Sequence, residues 1–373
     1  MIMRLAGLAF FPLVILVARG WGAEQWKAVY FYDENKSSFT INDLSFPSPE
    51  RGVAVGVLEQ RGKTKPYSVI TTDGGARWIP VPLSEPGISL YFLNEGLGWM
   101  VTPNGIWRTD EVGRSWRKLA RLPDIRRVCF VDDRHGWAVG NSKAFYETQD
   151  GGAHWNKVKS VELPNLNAQS THFTWVDFLN PKTGIVTGFN RPPRLRESPV
   201  PDFLDPETAS KRRQWPSLSV SIETKDSGQT WKASVASLFG AISRVRLSSA
   251  GFGLGLVEFF DAFDWPSEVF LLDLRTGASS RVFRERSRHV TDVQFLSGRG
   301  LLAAVDTPGQ MHRSPIPGRL RILTSSDLKV WQEMPVDYRA VARRAVLAVA
   351  GERQAWAATD TGMILRLVSS GSK

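Results

Sequence analysis

The chain has 373 residues, carries 47 Lys and Arg against 37 Asp and Glu for a formal charge of +10, and is 42% hydrophobic. A single cysteine excludes a disulfide scaffold, and five scattered histidines offer no metal-ligand spacing, so no metal or cofactor is expected. An excess of base of this size suits acidic protein segments or anionic membrane surfaces.

Residues 1–23 read as a secretory signal peptide, with an uncleaved membrane anchor as the competing reading. Met1 to Arg4 supply a positive start, and residues 5–18 form an apolar run too short to cross a bilayer comfortably. Cleavage is expected after Gly20 or Ala23, and there is no Cys nearby to take a lipid. The remainder, 24–373, is expected to form one domain. It opens on a strand, residues 25–32, that resembles the segments found after a recurring turn further along.

Two repeats then alternate down the chain. In the first, an apolar residue closes a strand, and a Gly six positions later opens another. Phe46 leads to Gly52, Phe92 to Gly98, Phe130 to Gly136, Phe178 to Gly184 and Leu247 to Gly253. Phe295 to Gly300 is one residue short, and Val349 leads to Ala355. The second repeat is Ser/Thr-x-Asp-x-Gly-x-x-Trp. It appears at Thr71, Asp73, Gly75 and Trp78, at Thr148, Asp150, Gly152 and Trp155, and at Thr224, Asp226, Gly228 and Trp231. Weaker copies have Glu111 with Gly113 and Trp116, or Asp327 and Trp331 with the Gly missing. The chemistry suits a hairpin turn. The Asp accepts the turn's own N–H groups, the Gly takes φ > 0, and the Trp lies on the next strand with a large face to bury.

Seven units of about 40–50 residues with four short strands each specify an all-β, seven-bladed β-propeller with Asp-box hairpins. The seventh unit ends without a fourth strand, and residues 25–32 are expected to supply it, so that the N-terminal strand closes the ring and no sheet edge is left exposed. Most tryptophans then belong to the scaffold: Trp99, Trp137 and Trp356 share one place in the second strand, and the Asp-box tryptophans another. Trp107, Trp175, Trp215 and Trp265 are left over. Cys129 falls on an innermost strand and reads as a buried, inert thiol. His135 and His154 sit in turns.

Strands in a blade run up and down, so the loops joining strands two and three share a face with the connections between blades. The Asp-box turns lie on the other face. Length variation concentrates in the two-to-three loops of blades four (190–216), five (258–266) and six (306–318), which marks their face as the working one. The residues expected to meet a partner are Arg191, Arg194, Arg196, Lys211, Arg212, Arg213, Phe259, Phe260, Phe263 and Trp265, because Arg and aromatic side chains dominate binding hot spots. No residue is expected to be catalytic.

Gly136-Trp-Ala-Val-Gly140 followed by the Asp-box at 148–155 resembles the photosystem II stability and assembly factor family, over essentially the whole of 26–368. The resemblance implies a non-catalytic propeller in the periplasm or thylakoid lumen that binds a protein partner, a subunit of a membrane complex, and assists its assembly. A monomer is expected, with peripheral membrane contact and no nucleic acid. Sialidases share the Asp-box, but their Phe/Tyr-Arg-Ile-Pro phrase is absent from residues 39–46. The alternative is a carbohydrate-active propeller that hydrolyses or binds glycans, using Glu258, Asp261 and Asp264 beside aromatics as paired acids.

Overall fold

A computed structural model describes residues 24–34, 36–159, 161, 166–192, 204, 217–260, 265–307 and 315–369. The strands form seven antiparallel sheets arranged as the blades of a propeller, and the only helix among the described residues is a single 3-10 turn, Ala168–Ser170. Six blades are consecutive in sequence. Their innermost strands are Ser37–Ser45, Ser89–Phe92, Ile125–Phe130, Thr171–Phe178, Gly240–Ser248 and Arg288–Leu296. Blade seven joins the two ends of the described chain. Ala345–Ala350, Gln354–Thr359 and Met363–Ser369 are followed in space by Glu24–Phe31, with Glu24 opposite Ser369 and Phe31 opposite Met363. Ring closure by the N-terminal strand is therefore as the sequence implied.

The closing strand is held by more than its ladder. Trp26 is almost fully buried among Leu301, Leu320, Met334 and Leu365, and its backbone N–H donates to the Pro335 carbonyl at 2.8 Å. Arg299 forks onto both oxygens of Glu24 at 2.6 and 2.9 Å.

Between blades, the first repeat finds its physical meaning. A Cβ on Gly136 would lie 2.4 Å from the Phe130 ring, and one on Gly52 would lie 2.5 Å from Phe46, so each Gly is the bare floor on which a Phe ring rests. The other face of that ring takes a Trp from the preceding blade. Trp99 stacks on Phe130 with centroids 3.6 Å apart, Trp356 on Phe46 at 3.5 Å, and Trp137 on Phe178 at 4.2 Å. The indole N–H then reaches the next Asp-box: Trp99 donates to the Gly151 carbonyl at 2.9 Å and Trp356 to Gly74 at 3.1 Å. Where the box reads Asp-Ser-Gly, the Trp137 N–H is buried without a hydrogen-bond partner among the described residues.

In the Asp-box itself, the hub is the Thr hydroxyl, to which the sequence reading gave no role. Thr148 Oγ1 donates to Asp150 at 2.9 Å and accepts the Gly152 N–H at 3.0 Å, while Asp150 accepts the His154 N–H at 2.9 Å. Gly152 has φ 96°. The boxes at Thr71 and Thr224 repeat these bonds. In the fifth box the span from Asp327 to Trp331 is one residue shorter, and Asp327 accepts from Lys329 and Val330 instead.

Candidate functional site

Five innermost strands share a bulge, at Ile41/Asp43, Ile125/Arg127, Phe173/Trp175, Ile242/Arg244 and Val290/Asp292. A bulge sets two consecutive residues against one partner residue and re-aims the side chains that follow. Here the residue after the bulge faces the central channel. Asp43, Arg127, Trp175, Arg244 and Asp292, with Ser89 and Val346 from the remaining blades, form one layer around the axis. Each stands three positions before the apolar residue of the first repeat. A second layer, which includes Tyr91, Asp177, Arg246 and Gln294, lies toward the Asp-box face.

The channel is built around Trp175. The guanidinium of Arg127 lies 3.8 Å from its ring centroid, Arg246 4.6 Å and Arg244 4.7 Å. Such close cation–π contacts are strong when desolvated. Burial lowers the pKa of Arg127 to about 10, against the pull of Asp43, so it stays charged at neutral pH. Burial also raises the Asp177 carboxyl, while Arg246 and Arg127 oppose the rise.

The acids of these layers serve mainly the backbone. Asp43 accepts the Leu90 N–H of the next blade at 2.8 Å, Asp292 accepts Leu347 at 2.8 Å, and Asp177 accepts Leu247 at 3.4 Å. Each therefore staples one blade to the next. Cys129 is buried in the apolar core between blades three and four, and burial pushes its thiol up to about 12, so it is not a thiolate nucleophile at neutral pH.

Above the first layer the channel widens into a vestibule of about 770 Å³. Its rim carries Asp124, Arg126, Asn141, Phe189, Glu258 and Arg344, from ends of second strands and from inter-blade connections. It opens on the face where the second strands of blades four to six end, at Asn190, Phe259 and Asp306.

Of the expected partner residues, the structure brings Arg191 and Phe260 together across blades four and five. The guanidinium lies 4.6 Å from the Phe260 centroid, and Phe189 packs on the same ring at 4.7 Å. Trp265 lies under Arg284 at 3.6 Å and Arg286 at 5.4 Å. Phe259 needs correcting as a contact residue: it is 5% exposed, because strand alternation turns it into the blade. Arg194, Arg196, Lys211, Arg212, Arg213 and Phe263 lie outside the described residues, as do Trp215, Asp261, Asp264 and residues 1–23. Glu258, one of the three acids considered for glycan chemistry, pairs with His289 at 2.9 Å.

Sequence reasoning missed the charged layer. The available signal was the position three residues before each strand-ending apolar residue, where Asp, Arg, Trp, Arg and Asp interrupt otherwise apolar strands.

A closed ring of seven four-stranded blades, with Asp-box turns on one face and a charged vestibule on the other, defines a BNR-repeat β-propeller. A family model for the photosynthesis system II assembly factor YCF48 matches residues 118–193. A curated relative, the photosystem II assembly lipoprotein Ycf48 of Synechococcus sp. (strain CC9902), is 31% identical over 141 residues, spanning 33% of this chain and 40% of the relative. The solved structure of YCF48 bound to D1 peptide superposes with a TM-score of 0.61 at 18% identity, covering 92% of this chain and 97% of that one. Over these segments the chain is similar to the photosystem II assembly factors, and over nearly its whole length it shares their propeller fold. The fold alone is shared more widely. An ancestral GH74 enzyme superposes with a TM-score of 0.56 at 12% identity, covering 91% of this chain and 46% of that one.

Proposed function

We propose that this protein is an exported, non-catalytic propeller of one domain, 24–373, that binds a protein partner and assists assembly of a membrane protein complex. The observation that carries the reading is the likeness to YCF48, solved bound to D1 peptide, and to a relative named as a photosystem II assembly lipoprotein. Partner contact is assigned to the face of the long loops, through Arg191 stacked on Phe260, Trp265 beneath Arg284, and the basic residues at 194–213. Aromatic rings held by guanidinium groups are rigid, amphipathic anchors that lose little entropy on binding.

The test is affinity capture from membranes of the host with the full chain, repeated with Arg191→Ser, Phe260→Ala and Trp265→Ala together. Capture of one complex subunit by the wild type and its loss in the triple variant is the expected result. Equal capture by both removes this face from recognition. Glycan hydrolysis that disappears in Asp261→Asn or Asp264→Asn replaces the reading with an enzyme.

A further inference from the structure

Hydrogen-bonding capacity in the vestibule is out of balance. Ten buried side-chain polar atoms lack a hydrogen-bond partner among the described residues, and three of them belong to residues that line this one cavity: His172 Nδ1, Trp175 Nε1 and Ser243 Oγ. Trp175 is 2% exposed and Ser243 8%, so both groups are withdrawn from solvent with nothing to bond to. A buried polar group left unsatisfied is costly unless something else reaches it.

The guanidinium groups are under-used as well. An arginine has five N–H donors and no acceptor. Among the described residues Arg127 makes one long hydrogen bond, to Asp43 at 3.4 Å. Arg244 donates to the Ser243 carbonyl at 2.8 Å but stands 3.8 Å from Asp292. Among the described residues Arg126 at the rim reaches only Asn141, at 3.5 Å. The acids that would quench them are committed to backbone N–H groups of neighbouring blades, and Glu258 at the rim is committed to His289. A cavity with surplus donors takes a ligand rich in acceptors, and planar guanidinium forks match a carboxylate.

We infer that the vestibule is a binding site for a carboxylate group, held by Arg126, Arg127 and Arg244 with the Trp175 N–H and the Ser243 hydroxyl. The inference rests on this cavity alone and not on the partner reading. One chemistry has two sources here, a free small organic acid or an acidic side chain of a polypeptide.

Isothermal titration of the full chain distinguishes them. The probes are acetate, succinate and citrate, a short peptide carrying one Glu, and succinamide as the neutral control. Saturable one-to-one binding of a free acid, absent for succinamide, is expected. Arg244→Gln should weaken it by about tenfold or more, as expected for a lost charged hydrogen bond. Arg126→Gln, at an exposed position where folding is not at risk, should weaken it less. Trp175→Phe should also weaken binding while keeping an aromatic ring in place. Binding of the peptide alone assigns the source to a polypeptide and supports the site. The inference is overturned if no carboxylate binds saturably, if succinamide binds equally well, or if Arg244→Gln and Arg126→Gln both leave the affinity unchanged.

Discussion

At the scale of residues, the Asp-box shows how a small buried hydroxyl organises an exposed turn. Thr148 is buried, and its Oγ1 is at once donor to Asp150 and acceptor for Gly152. Thr148→Val keeps the shape and removes both bonds, leaving the Gly152 N–H unsatisfied. We expect a loss of about 1–3 kcal/mol, read from the denaturant midpoint. Ionisation adds a pH signature. The N–H and imidazole of His154, with the Thr148 hydroxyl, hold the Asp150 carboxyl at about 2, below the unfolded value of about 3.9. The folded state thus favours the charged form. That stabilisation is present above pH ~4 and is lost as pH falls through about 2. Stability of the wild type should decline across this window, and the deficit of Asp150→Asn relative to it should shrink over the same range.

At the scale of elements, the unit of cohesion is a Gly–Phe–Trp sandwich across each of three blade seams. The spacing from Phe130 to Gly136 was plain in the sequence as a repeat, and so was the shared place of Trp99, Trp137 and Trp356. That they are parts of one stack was not, because the stack joins residues of two different blades. Gly136→Ala should cost about 1–3 kcal/mol by forcing the Phe130 ring off its floor. Gly255→Ala is the control. Its Cβ would meet nothing closer than Leu272 at 3.5 Å, so it should be tolerated, and equal thermal shifts for the two would refute the close-packing account. The channel layer shows where sequence reading stopped. Alternation alone sends Arg126 and Arg127 to opposite faces of a strand, and only the bulge between Ile125 and Arg127 sets both along the vestibule. A bulge depends on its partner strand, so Arg127, Trp175 and Arg244 carried no local mark of a shared site.

At the scale of the whole molecule, the charge of +10 and the inventory of scaffold residues follow from the sequence, and so does the number of blades. Closure puts particular weight on Trp26, which joins blade seven to the Met334–Val336 segment of blade six. Trp26→Ala should remove about 3–5 kcal/mol, the usual range for a fully buried large side chain. The measurement is chemical unfolding followed by circular dichroism, since the variant also loses a fluorophore.

The pairing of Glu24 with Ser369 also sets an order of events in time. Within the ring, residues 24–31 are made before every other blade strand and meet their partner only after residues 363–369 have been made, so the search spans all the other blades. Loop-closure entropy makes such a distant encounter slow, and until it happens the nascent disc carries an open, sticky rim. A circular permutant that moves residues 24–32 to follow 369, with new ends between blades seven and one, turns this encounter into a neighbouring hairpin. It should reach the native state faster than the natural order does, with a smaller aggregated fraction on refolding and a similar unfolding rate. Identical refolding rates for the two orders would mean that the ring's slow step lies elsewhere.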